Sequence, residues 1–173
     1  TSLSDFFRTT LSKGHDYITV KEERTHIESY LEIQQFRYQD ILDYEIQMDE
    51  EIYGYIIPKL TLQPLVENAL YHGIKNKRGK GKILITGKKQ GDKIIFQVID
   101  NGKGMTEEEL NSLRKKMAGT DTGDEAKGFG VSNVNQRIKY YYGGEYGVFF
   151  ESKENEGTNA TIIIAAKNIQ LLS

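Results

Sequence analysis

The chain has 173 residues, with 23 Lys+Arg against 25 Asp+Glu, a net charge of −2 and no cysteine. That is enough chain for one sizeable domain with its own core and no disulfide staples, which suits a reducing compartment. The near-neutral balance carries no basic footprint for nucleic acid or an anionic membrane surface, and no apolar run reaches the ~20 residues of a membrane helix. The chain opens on Thr1 in mid-pattern, so the expectation is a piece of a longer protein, any membrane segment lying in the missing N-terminal part.

In chain order, Leu3, Phe6, Phe7 and Leu11 share one helical face. After a loop around Gly14, a long amphipathic helix is predicted over 19–39. Thr19 and Glu22 have capping-box spacing, and Ile27, Tyr30, Leu31 and Tyr38 recur at helical intervals. The pair reads as a helical hairpin packed on the domain, with the Glu and Lys side chains of the long helix in solvent on its other side. "DYEIQMDEE" alternates as a strand. "PLVENALYHGI" predicts a helix, with Pro64 in its first turn and Leu65, Val66, Ala69 and Leu70 as the buried stripe. A basic, glycine-broken loop, "NKRGKGK", leads to two strands, "KILITGKKQ" and "DKIIFQVID", joined as a hairpin at Gly91-Asp92. "TEEELNSLRKKM" is a helix capped by Thr106, with acids in its first turn and bases in its last. "AGTDTGDEAKGFG" is small, polar and glycine-rich and predicts a mobile loop. "VSNVNQRIKYYY" is a further helix stopped by Gly143-Gly144, and "EYGVFFES" and "GTNATIIIAA" are strands. This order predicts an α+β, two-layer sandwich: a mixed sheet covered by helices on one face, with an N-terminal helical segment.

"VIDNGKGM", residues 98–105, ends an apolar strand on a carboxylate and then frees the backbone twice. Ile94, Phe96, Val98 and Asp100 alternate onto one face, and a carboxylate there needs a partner, because bare burial costs several kcal/mol. Either the strand frays before Asp100 and the carboxylate caps the turn at Asn101-Gly102, or Asp100 belongs to a pocket. Three separated features favour the pocket. Thr158 opens the face continued by Ala160, Ile162 and Ile164. "KGFGV" places Lys127, Gly128 and Gly130 before a helix, where backbone N–H groups receive an anion. Asn68 lies outside the apolar stripe of its helix, with Glu67 beside it and His72 one turn on, and an amide oxygen suits Mg²⁺. Together these supply the parts of a purine-triphosphate site. Asp100 accepts from an exocyclic amine, Thr158 supports it through water, the "GFG" loop holds phosphates and Asn68 holds the metal.

These stretches resemble the GHKL superfamily of ATP-binding domains, shared by sensor histidine kinases, gyrase B subunits, ninety-kilodalton heat-shock chaperones and mismatch-repair ATPases. "LQPLVENALYHGI" is similar to the N box, "DNGKGM" to the G1 box, "GFGVSN" to the G2 box and "GTNATIII" to the last glycine motif. "YITVKEERTHIESYLEIQQFRYQD" extends the resemblance, over nearly the whole chain, to the LytS/YehU type of bacterial sensor histidine kinase. The resemblance implies a Bergerat-type sandwich over residues 40–168 with an ATP lid at 119–130. Residues 1–39 would be the end of the helical dimerisation and phosphoacceptor region, and 169–173 a tail. It implies ATP and Mg²⁺ as cofactors, a response regulator as partner, a homodimer in the full-length protein, and a cytoplasmic domain of a membrane-anchored bacterial protein.

Carried over position by position, Asn68 resembles the Mg²⁺-binding asparagine and Asp100 the adenine-reading aspartate, with Gly102, Gly104 and Met105 at the pocket floor. Lys127, Gly128, Phe129, Gly130 and Val131 fall on the phosphate side, Thr158 on the adenine water, and His72 where many kinases place an aromatic. Hydrolysing members carry a general-base Glu four residues before the metal Asn. Pro64 stands there instead, which argues against a dedicated ATPase and leaves Glu67 as polar support for the metal or as a base. Tyr71 stands where many kinases have a phosphate-contacting Lys, and Lys127 or the Lys75-Lys77-Arg78 loop would compensate. Phe129 and Val131 replace smaller or longer aliphatics, a tolerable packing change. His15 reads as a solvated loop residue and His26 as a surface helix residue, so the acceptor imidazole is expected upstream of Thr1. The rival readings are a protein-serine kinase or ATPase on the same fold, and a degenerate nucleotide or partner-binding module.

Overall fold

The structure is a computed structural model that describes residues 16–39, 41–75, 79–119 and 129–168. The expected first helix with His15, the loop residues Lys77 and Arg78, most of the expected lid with Lys127 and Gly128, and the tail lie outside the described residues.

The elements run β1 (Tyr17–Thr19), α1 (Val20–Arg37), β2 (Leu42–Met48), a 3₁₀ turn (Glu50–Ile52), β3 (Ile56–Pro58), then α2 (Leu62–Asn68), continued by a π-helical segment (Ala69–Ile74). There follow β4 (Gly81–Gln90), β5 (Lys93–Asp100), α3 (Glu107–Met117), α4 (Phe129–Tyr142), β6 (Gly147–Lys153) and β7 (Gly157–Ala165). The main sheet is five-stranded in the order β2-β4-β5-β7-β6, with β2 parallel to β4 and the other pairings antiparallel. The mixed, one-sided sandwich is therefore the fold that the order of elements predicts.

Period-two alternation builds the buried layer. Ile83, Ile85, Ile94, Phe96, Val98, Ala160, Ile162 and Ile164 all point inward and are buried. Against them pack Leu65, Val66, Ala69 and Leu70 of α2, and Val131, Val134 and Ile138 of α4. The same cluster takes in Ile27, Tyr30 and Leu31 of α1, so α1 shares the core of the sheet.

Two features differ from the sequence reading. Residues 17–19 and 56–58 form a small antiparallel ribbon, Tyr17↔Pro58 to Thr19↔Ile56, too short for its alternation to be legible. The ribbon delivers the chain into α1, whose first amide, Val20 N, donates to Tyr55 O at 2.8 Å. The buried stripe of α1 is also not purely apolar. Glu23 and His26 are both fully buried, because α2 and the strand-to-helix corner at residues 60–62 cover that flank.

Candidate functional site

Strand β5 does not fray: it pairs with β7 through Asp100, which sits directly opposite Thr158. Asp100 is 6% exposed, and its Oδ1 accepts the Gly102 N–H at 2.9 Å, which fixes the carboxylate at the strand end. Asn101 turns the other way, and its Oδ1 accepts from Lys82 N at 2.7 Å, extending the ladder toward β4. The "DNG" stretch thus splits its polar groups between the pocket and the sheet edge.

The π-helical segment brings Gly73 against this corner. Its widened turn is marked by Lys75 N donating to Leu70 O at 2.9 Å, a five-residue spacing. A Cβ on Gly73 would lie 2.7 Å from Asp100 Oδ1, and one on Gly102 would run into the Gly73 backbone. Both positions need glycine because the two segments and the carboxylate touch with no room for a methyl. Gly73 is a site residue that the motif reading passed over, although it stands in the quoted "YHGI".

Across the sheet, Ser152 Oγ lies 2.8 Å from Thr158 Oγ1 and 3.0 Å from Gly157 O, and accepts from Met105 N at 2.8 Å. With the Ser152 proton on the Gly157 carbonyl, Thr158 donates to Ser152 and keeps its own oxygen lone pairs as acceptors. Ser152 was not foreseen: it occupies an ordinary strand position, and only register brings it opposite Thr158.

A cavity of about 430 Å³ opens from this corner between α2 and α3. Asn68, His72, Asp100, Gly104, Met105 and Thr158, all expected at the site, line it. So do Gly73, Lys103 and one face of α3, with Glu108, Glu109, Ser112, Leu113 and Lys116. The α3 residues carried no site signal because they read as the solvated face of an ordinary capped helix. Gly102 lies just behind the wall, buried against Gly73. Gly130, in the first turn of α4, packs over Pro64, and Val131 is buried in the core. The backbone of Phe129 begins α4.

Glu67 is half-buried and is not part of the cavity wall; its Oε1 accepts from Gln63 Nε2 at 2.8 Å. Among the described residues, no group of three or more His, Cys, Asp or Glu side chains could hold a metal alone. The donor set at the cavity, one amide from Asn68, fits the habit of Mg²⁺: few protein ligands, with phosphate oxygens and water completing the octahedron.

The charge of the cavity is graded along α3. Glu108 and Glu109 stand at its first turn, and Lys116 at its last, where Ser132 Oγ of α4 meets Lys116 O at 3.4 Å. The cavity thus presents a buried carboxylate at Asp100 and an ammonium group at Lys116.

Such a pocket in such a sandwich defines a nucleotide-binding domain, and the comparisons make the class specific. The family described as Histidine kinase-, DNA gyrase B-, and HSP90-like ATPase matches residues 58–168, and that described as Histidine kinase matches residues 1–42. The chain belongs to the first of these families. It is 33% identical over 167 residues to the sensor histidine kinase YesM of Bacillus subtilis (strain 168), covering 96% of this chain and 27% of that protein. It is 30% identical over 169 residues to the sensor protein LytS of Staphylococcus saprophyticus, covering 97% and 28%. The chain therefore spans little more than a quarter of the length of these curated relatives. The fold is shared with the catalytic domain of histidine kinase ThkA, at TM-score 0.63 and 22% identity over 87% of this chain and 95% of that one. It is shared also with the mycobacterial sensor histidine kinase MprB, at TM-score 0.58 and 16% identity over 90% and 99%. Family and fold together make this an ATP-binding domain of the histidine-kinase type.

Proposed function

We propose that this chain is the catalytic portion of a two-component sensor histidine kinase. It would bind MgATP and present the γ-phosphoryl group to a histidine upstream of Thr1, from which a response-regulator aspartate receives it. Residues 1–39 would be the end of the dimerisation and phosphoacceptor region, and the full-length protein a membrane-anchored homodimer. The observation that carries the reading is Asp100, buried at the mouth of an apolar strand opposite Thr158 and opening into the cavity that Asn68 lines.

In this reading the Asp100 carboxylate accepts from the adenine exocyclic amine and rejects guanine, which presents a carbonyl oxygen there. Thr158 and Ser152 complete the polar rim of the ring site. Asn68 would hold Mg²⁺, which supplies charge neutralisation at the phosphates. Lys103 and Lys116 lie on the cavity wall and take up the role that Tyr71 cannot fill, with Lys127 beyond the described residues. The chemistry needs positioning and charge compensation more than an acid or base. Glu67 accordingly serves as support beside Asn68 rather than as a base in the cavity. His26 is buried and hydrogen-bonded to Gln63 Oε1 at 2.6 Å, which speaks against it as the acceptor, and in this reading the acceptor is an upstream imidazole.

A longer chain that includes the upstream segment tests this with ATP labelled in the γ position. Acid-labile, alkali-stable label on a histidine, lost in Asn68→Ala, is the expected result. Absence of label on a longer chain that binds ATP would overturn the kinase reading.

A further inference from the structure

Three polar side chains run from α1 to Glu67, the residue before Asn68 on α2. His26, fully buried on α1, places Nε2 2.6 Å from Gln63 Oε1 on α2. Gln63 Nε2 in turn donates to Glu67 Oε1 at 2.8 Å, one helical turn on. The directions follow from the donors available: an ionised carboxylate only accepts, so Gln63 turns its amide nitrogen to Glu67 and its carbonyl to His26. His26 Nε2 must then carry a proton. The charge of Glu67 is also felt on α1, where burial first and the Glu67 carboxylate next push the Tyr30 hydroxyl well above its ordinary pKa.

The start of α2 is held from the same helix. Thr61 precedes it with no side-chain cap, its hydroxyl being spent on Pro58 O. Glu23, one turn before His26 on α1, is buried at that end, where the amides of Thr61, Leu62 and Leu60 and the Arg137 guanidinium draw on its charge. The preceding Leu60 sits at φ 60, a conformation that a branched side chain rarely adopts, and Arg137 Nη2 binds its carbonyl at 3.1 Å. Of these two α1 residues three apart, His26 bonds α2 along its flank and Glu23 lies buried at its entrance.

We infer that His26 and Gln63 are positioning residues. Their hydrogen-bond chain to Glu67 sets the rotation of α2 about its axis, and with it the aim of Asn68, from helix α1. This rests on the proposal that Asn68 is the protein ligand of the cation. Residues 63 and 67 lie four apart on one face of α2, and Asn68 is turned from them toward the cavity. A side-chain tip ~6 Å from a helix axis moves about 1 Å for a rotation of about 10°, enough to spoil a ligand's aim. A shift of α1 is thereby read at the cation site without any contact between α1 and the ligand.

The 173-residue chain is sufficient for the test. ATP is titrated by calorimetry with and without Mg²⁺, and the readout is the ratio of the two dissociation constants. Gln63→Leu and His26→Leu are expected to shrink the Mg²⁺ enhancement by about tenfold, the scale of losses for residues that orient metal ligands. Affinity without Mg²⁺ should stay within about twofold, since Asp100 sets it. His26→Gln, which keeps a donor at the position of Nε2, should restore most of the enhancement. An equal loss with and without Mg²⁺, or no loss in folded variants, would overturn the inference. If His26→Leu does not fold, the half-buried Gln63→Leu decides. A second readout needs no ligand. The side-chain amide resonance of Asn68 should move in Gln63→Leu and in His26→Leu and stay near its wild-type position in His26→Gln. An unmoved resonance sinks the inference whether or not ATP binds. A wild-type chain that binds no ATP while that resonance moves would overturn the proposed function and leave the coupling of α1 to Asn68 standing.

Discussion

Asp100 is tolerated at the end of an apolar strand because its surroundings are built around the carboxylate. Gly102 donates to it, and Gly73 leaves it space that a methyl would fill. Gly73→Ala should therefore cost about 1–3 kcal/mol of stability, as overpacking does, and displace the carboxylate so that ATP affinity falls as well. Urea unfolding alongside a nucleotide titration measures both. At this scale the sequence was informative where a residue type violates its setting: a carboxylate on an apolar face, a hydroxyl at a strand mouth, an amide outside a helical stripe. It was silent on Ser152, whose role exists only through strand register, and on the burial of His26 and Glu23. A helical wheel places those two beside Ile27 and Tyr30, but their polarity reads as solvent-facing, and α2 packs over that flank.

At the scale of elements, two helices carry their own start signals. Thr106 Oγ1 accepts from Glu109 N at 3.2 Å, and Glu109 returns the bond to Thr106 N at 2.9 Å. Thr106→Ala should lower stability by about 1 kcal/mol, read from a denaturant midpoint. Helix α2 lacks such a cap, and the buried Glu23 of α1 lies at its start. Burial raises the Glu23 carboxyl from 4.5 to about 7, with the amides of residues 60–62 and Arg137 pulling the other way. A pKa raised on folding contributes stability that is full below the unfolded value of 4.5 and is lost as pH rises through about 7. Between pH 5 and pH 8 the wild-type chain should lose up to about 3 kcal/mol through this group, and Glu23→Gln should remove that component. Thermal melts of both proteins across that range measure it; parallel pH profiles would contradict the assignment. Propensity and capping made α1, α3 and α4 legible, and alternation made the long strands legible. The π-helical turn at 69–74 was not, because its cause is the contact of Gly73 with the β5 corner and not any local preference.

At the scale of the molecule, the mixed sheet with one covered face followed from the order of elements, while the strand order β2-β4-β5-β7-β6 is set by long-range pairing that no local pattern announces. The long helix was expected to pack on the domain, and α1 does so through Ile27 and Leu31, fully buried in the cluster that holds Phe96 and Ile162. A chain beginning at residue 40 would open that cluster. It should lose its cooperative thermal transition or melt at least about 10 °C lower, given several buried side chains at 1.5–3 kcal/mol each. Calorimetry on the shortened chain checks this. No helix among the described residues is long and apolar enough to cross a membrane. The outer face of the sheet carries half-buried Leu84, Ile95, Ile99 and Ile163, with Phe149 exposed beside them.

The central claim is that the corner formed by Asp100, Gly73 and Thr158 reads adenine. Its most direct measurement is calorimetric titration of the 173-residue chain with ATP and with GTP, beside Asp100→Asn. ATP should bind in preference to GTP, with at least about a tenfold loss in Asp100→Asn, the scale of a charged hydrogen bond in a buried site. Equal affinity for the two nucleotides, or ATP affinity indifferent to the Asp100→Asn change in a folded protein, would contradict it.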